Sequence, residues 1–258
     1  MKPRFAAPRT AWRTVLSVFA LGVGLVSSVE DATAATLVGD AEVTTAAARG
    51  ARFAVGAGRC GDAVVSEWRD AEGRLVAHEQ VDLQGESWVR YRLRRESVGQ
   101  DVKAVRDGDR VRVQIRAGAQ ERTVVLPAPT IMIAGPLLVP FLQGRLDELR
   151  RGAELEFPYL VADQGLTLRL RASRAEHSAT GAALRNTRTV VRLDAASLLM
   201  RPFVPPTVLE FDAAGQFVAM QGRLLPQMGP SSQPQSLDGV MRVHDAPMQS
   251  SCHMRDLS

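Results

Sequence analysis

Val89-Arg90-Tyr91-Arg92-Leu93-Arg94 alternates apolar and cationic side chains without a break. A strand turns successive side chains to opposite faces, so this stretch offers one apolar face to a core and one arginine face to water. The same period of two returns further along the chain. Val111, Val113 and Ile115 alternate with Arg110, Arg112, Gln114 and Arg116, and Leu166, Leu168, Leu170 and Ala172 with Thr167, Arg169, Arg171 and Ser173. Thr189, Val191 and Leu193 alternate with Arg188, Val190 and Arg192, although Val190 blurs the polar side. Sheets covered on a single face are usually antiparallel.

The turn signals agree. Asp70-Ala71-Glu72-Gly73 separates Ala63–Arg69 from Arg74–Leu83, Asp107-Gly108 separates Val102–Arg106 from Arg110–Arg116, and Asp212-Ala213-Ala214-Gly215 separates Thr207–Phe211 from Gln216–Gln221. Acidic-to-glycine tips between alternating runs mark hairpins and predict a meander, each strand pairing with the next. The fold class expected is mainly β: a curved antiparallel meander sheet or incomplete β-barrel with one short covering helix.

That helix belongs to the one segment that breaks the pattern. No charged residue occurs between Arg122 and Arg145, and Pro127, Pro129, Pro136 and Pro140 punctuate it. Four prolines would leave backbone groups unpaired in hydrocarbon, which argues against a spanning helix. The reading is a strand ending near Leu126, a buried crossing through Ile131-Met132-Ile133, then a helix with Pro140 in its first turn. Phe141, Leu142, Leu146 and Leu149 form its apolar stripe, and Gly152 stops it. After Gln221 order is expected to decay, Pro226–Ser236 having little to bury, with a last strand over Leu237–Val243.

At the other end, Lys2, Arg4, Arg9 and Arg13 precede the apolar run Val15–Val26 and the small residues Ala32-Thr33-Ala34. This is the pattern of a cleaved secretory leader, too short to span a bilayer. The expected organisation is a signal peptide over 1–34, a single β domain over 35–244 and a flexible tail over 245–258, with the mature protein periplasmic. Removing the leader lowers the formal net charge from +4 to +2. Lysine occurs only at Lys2 and Lys103, which is the composition of a GC-rich genome rather than of a phosphate-binding surface. In an oxidising compartment Cys60 and Cys252 either pair or remain apart, Cys252 lying in the tail.

Chemistry-bearing motifs are sparse. His78, His177, His244 and His253 show no metal-ligand spacing, and no glycine-flanked serine elbow appears, so no metal, cofactor or catalytic residue is assigned. Glu67, Glu79, Asp82 and Glu86 lie around one hairpin and would serve a hydrolase of envelope components only by converging in a cleft. The arginine strands could meet anionic headgroups or glycans. The favoured reading is a solvated face with partners among Glu96, Asp101, Asp107 and Glu121. Nucleic acid is excluded as a partner by the compartment and by the lack of interleaved aromatics. A curved sheet capped by an apolar crossing encloses a candidate cavity whose lining would include Trp68, Trp88, Tyr91, Ile131, Met132, Leu138, Phe141 and Leu142.

Glu67–Gly73, Ala134–Phe141, the Leu146, Leu149 and Gly152 series, Leu155-Glu156-Phe157 and Leu209-Glu210-Phe211-Asp212 together resemble a group of uncharacterised exported all-β proteins of proteobacteria. The resemblance implies a curved sheet akin to the half-barrels of periplasmic lipoprotein carriers, and no established activity. The expected function is a non-enzymatic envelope protein, not membrane-spanning once its leader is removed, that binds a lipidic or other apolar ligand, or a partner protein; the alternative is the carboxylate hydrolase.

Overall fold

The computed structural model describes residues 37–85, 87–176, 188–230 and 232–244. Their alternation becomes fifteen strands. β1 to β8 run Leu37–Val43, Arg52–Cys60, Ala63–Arg69, Leu75–Gln84, Ser87–Arg95, Gln100–Asp107, Arg110–Ala117 and Gln120–Pro127. β9 to β15 run Ile133–Ala134, Leu155–Val161, Leu166–Arg174, Thr189–Ala195, Thr207–Phe211, Phe217–Met228 and Gln235–His244. Two short helices, α1 (Leu138–Gln143) and α2 (Leu146–Arg150), lie between β9 and β10.

All strands join one sheet in the order β8-β7-β6-β5-β4-β3-β2-β1-β15-β14-β13-β12-β11-β10-β9. Every pairing is antiparallel except the short parallel contact of β9 with β10. The two halves meet where β1 pairs β15, with Ala41 opposite Met241. The edge strands β8 and β9 follow one another in sequence, joined only by residues 128–132. Such a link reaches at most about 20 Å, so the sheet must curl until its edges approach. At that seam Arg122 Nη2 donates to the Gln164 carbonyl at 3.0 Å. A Cβ on Gly165 would stand 3.1 Å from Val124 of β8, so the turn after β10 lies against the opposite edge. The expected incomplete barrel is what forms.

Inward side chains make two apolar clusters. One gathers Trp88, Tyr91, Leu93, Val102, Val111, Val113, Met132 and Leu160. The other gathers Phe53, Trp68, Leu142, Leu149, Phe157, Leu209 and Phe211. The segment from Met132 through α2 supplies residues to both, so it fills the concave side.

Four details differ from expectation. The helix is two pieces: Arg145 has φ −120° and ψ 9°, outside helical geometry, yet Leu142, Leu146 and Leu149 still share one buried stripe. Ile131 is 56% exposed, so the buried crossing begins at Met132. A register shift at Asp82–Leu83 sends Trp88 rather than Val89 into the core. Finally, β14 runs through Pro226 to Met228, where order was expected to decay. Its register is interrupted between Arg223 and Gln227, so Pro226 sits where no ladder N–H is required, and Leu224 still finds the core.

Candidate functional site

Alternation places polar side chains on the inner face as well as apolar ones. Tyr91, Leu93 and Arg95 follow each other at period two along β5, so Arg95 points inward with them and is buried. Its Nη1 donates to Asp163 Oδ2 at 2.8 Å and its Nε to the Leu225 carbonyl at 2.8 Å. One side chain thus joins β5, the β10–β11 turn and β14. Ser97 repeats the tie, its hydroxyl donating to the Gln227 carbonyl at 2.7 Å.

Beside it, Glu79 of β4 is fully enclosed and accepts the Tyr91 hydroxyl at 2.5 Å. Burial pushes its carboxyl up to about 7, against the lowering effects of the Tyr91 hydrogen bond and of Arg95. Burial and the nearby Glu79 carboxyl also raise the phenols of Tyr91 and Tyr159. Gly135, at φ +46°, lies directly over this group. A Cβ there would run into the Glu79 carboxyl and come within 2.8 Å of the Tyr91 ring. The crossing is therefore seated on the Glu79–Tyr91 pair, and the group acts as an internal fastening without an open cleft.

Of the acids proposed for hydrolysis, Glu67, Glu79 and Asp82 do not converge. In the β3–β4 register Ser66 stands opposite Glu79 while Glu67 stands opposite His78, so Glu67 and Glu79 occupy opposite faces of the sheet. Glu67 is half-exposed and paired with Arg69 at 2.9 Å. Asp82 accepts from Gln80 at 2.6 Å. Glu86 lies outside the described residues, as do His177, His253 and Cys252, so the pairing of Cys60 with Cys252 does too.

The eight residues considered for a cavity are dispersed. Trp88, Tyr91 and Met132 belong to one cluster, and Trp88 Nε1 donates to the Met132 carbonyl at 2.7 Å. Trp68 and Leu142 belong to the other, with Leu138 and Phe141 packed against it. Phe141 stacks obliquely on Phe157, 4.8 Å between ring centres. Ile131 faces solvent. Two hollows among the described residues are bordered by other residues. One, of about 90 Å³, lies on the outer face among Asp101, Lys103, Gln114, Arg116 and Glu121. The other, of about 350 Å³, is bordered by Thr44, Pro205, Pro206, Val208, Gln221, Gly222, Asp238 and Gly239.

The arginine strands do share the outer face. Cross-strand registers set Arg92, Lys103 and Gln114 in one row and Arg90, Val105 and Arg112 in the next. In the third row Arg94 pairs with Glu96 at 2.8 Å and Arg116 lies 3.7 Å from Asp101. That row matches the solvated reading with acidic partners.

Sequence reasoning passed over a further feature. The β12–β13 loop contains Leu198-Leu199-Met200-Arg201-Pro202-Phe203, with Leu198 71%, Leu199 83% and Phe203 78% exposed. Turn hydrogen bonds hold the tip: Met200 N–H to the Ser197 carbonyl and Phe203 N–H to the Met200 carbonyl, at 3.1 and 3.0 Å. Apolar residues running into Pro202, Pro205 and Pro206, without the period of helix or strand, were the available signal. The loop ends in Pro205 and Pro206, which border the larger hollow.

The chain is thus a barrel-like all-β protein with a filled concave side. No family model matches it. No curated protein matches it either. Among solved structures it is similar to a β-barrel-like protein of a domain of unknown function, DUF1849, from Brucella abortus. That likeness covers 81% of this chain and 97% of the other at 11% identity, with a TM-score of 0.42. No helix among the described residues is long and apolar enough to cross a membrane.

Proposed function

We propose that this is a non-enzymatic binding protein of the cell envelope, exported to the periplasm by its leader and working through its outer surface. The observation that carries this reading is a contrast between the concave side of the sheet and the β12–β13 loop. The concave side is occupied by the chain's own Met132–Arg150 segment, whereas Leu198, Leu199 and Phe203 stand in solvent on a hydrogen-bonded tip. Large apolar side chains grouped in water mark contact sites more often than decoration. A ligand within the sheet would first have to displace the crossing from Glu79 and Tyr91. A partner or lipid at the loop displaces nothing. The opposite orientation of Glu67 and Glu79 counts against the alternative, a carboxylate hydrolase.

Photo-crosslinking in intact cells tests this reading, with a photoreactive residue at position 199 or, for comparison, at position 125 on the outer face. The processed product beginning at Ala35 is expected to give an envelope lipid or protein adduct from position 199 only. No adduct at 199, or an uncut cytosolic product, defeats the proposal.

A further inference from the structure

The envelope-binding reading names a working surface without naming what covers it. We infer that the Leu198–Phe203 tip inserts into the headgroup and upper acyl region of a lipid bilayer carrying anionic lipid. This rests on the envelope-binding reading and makes it more specific.

Shape is the first argument. The apolar side chains project from a short turn instead of lining a groove, so a flat, rigid protein surface would touch only part of them. A bilayer closes around a protruding tip. Order is the second. The two turn bonds and Pro202, Pro205 and Pro206 hold the tip before any contact is made, so little conformational freedom remains to be lost on insertion. Charge is the third. Arg201 lies within the tip, its Nε held by the Ala195 carbonyl at 3.3 Å. The turn after β1, whose Thr44 borders the same hollow as Pro205 and Pro206, carries exposed Arg49, and exposed Arg52 follows at the start of β2 opposite Glu42. None of these three arginines forms an ion pair among the described residues. An exposed arginine within an apolar tip suits the negative headgroup layer.

The test is flotation of the mature protein with vesicles of phosphatidylethanolamine and phosphatidylglycerol at 3:1, and with vesicles of phosphatidylcholine alone. Wild-type protein should float with the anionic vesicles and at least fivefold less with the zwitterionic ones. Leu199→Asp with Phe203→Asp should lower anionic-vesicle binding by at least tenfold, the scale of losing one buried apolar side chain. Val125→Ser, which removes an exposed apolar side chain elsewhere, should leave binding unchanged, and matching melting curves should show that both variants fold. Wild-type protein that stays with neither vesicle, or a double Asp variant that floats like wild type, overturns the inference. If flotation fails while position 199 still crosslinks to an envelope protein, the lipid occupant is wrong and the binding function stands. If the double variant instead dissolves a dimer seen by sedimentation, with no vesicle binding in wild type, the tip is a self-association surface and the inference falls.

Discussion

Tyr91 donates its hydroxyl to Glu79 from the neighbouring strand, closing a buried pair on which the crossing at Gly135 rests. The pair sits where a curved sheet would otherwise be hollow. It gives the concave side of a barrel-like sheet a buried point of attachment for the chain's own crossing.

The Glu79 carboxyl gives the fold a pH signature. Its folded value of about 7 exceeds the ordinary value of 4.5, so the native state holds the proton over that window while the unfolded chain releases it. Stability therefore falls as pH rises from 4.5 to 7 and levels off above, by on the order of 3 kcal/mol. His78 acts with the opposite sign: burial lowers its pKa, so protonation below about 6.5 favours unfolding. Comparing Glu79→Gln with wild type isolates the carboxyl. In urea titrations the variant should gain on wild type between pH 5 and 7.5; parallel curves would show that Glu79 does not carry the effect.

Gly135 is required by both its backbone and its surroundings. Gly135→Ala should cost about 3 kcal/mol, because a positive φ is strained and the new methyl meets Glu79 and Tyr91. Gly108→Ala, also at positive φ but with nothing within 4 Å, should cost about 1 kcal/mol. Equal losses in chemical denaturation would mean that the crossing is not seated as described.

Arg95 holds three parts of the sheet together. Arg95→Met leaves Asp163 without its cation and the Leu225 carbonyl without a donor, for an expected loss of about 3 kcal/mol. Amide exchange should then quicken in the β10–β11 turn and around Leu225, while β1–β2 stays protected. Uniform acceleration throughout the sheet would argue against a local tie.

The crossing contains one exposed and several buried apolar residues. Leu142→Ala should cost about 3 kcal/mol as a core deletion. Ile131→Ala should change stability by less than about 0.5 kcal/mol. Thermal melts of the two variants suffice, and a large loss at Ile131 would contradict the assignment.

These particulars show what alternation can and cannot carry. Period two placed β5, β7, β11 and β12 because a half-buried sheet needs it, and acidic-to-glycine tips placed three turns. The same period, followed one step beyond Leu93, would have turned Arg95 inward. A buried arginine is readable as a breach of the apolar phase, though its partner Asp163 is set by tertiary closure alone. The bulge that exchanges Val89 for Trp88 arises from local pairing and leaves no mark in composition. The Leu198–Phe203 tip went unread because its residues fit neither period. Apolar side chains that match no element are themselves evidence of a surface role. The eight-residue cavity reading joined Trp68, Trp88 and Tyr91 of the strands to residues of the uncharged run; in the fold they are divided between two packed clusters, with Ile131 exposed.

The central claim is that the concave side is filled by the chain itself and that contacts are made outside. Native mass spectrometry of the protein as it is purified gently from cells addresses it most directly. The account predicts the mass of the polypeptide from Ala35 to Ser258 with no small molecule retained in stoichiometric amount. A stoichiometric apolar molecule that stays bound when Leu199 and Phe203 are both changed to Asp would contradict it.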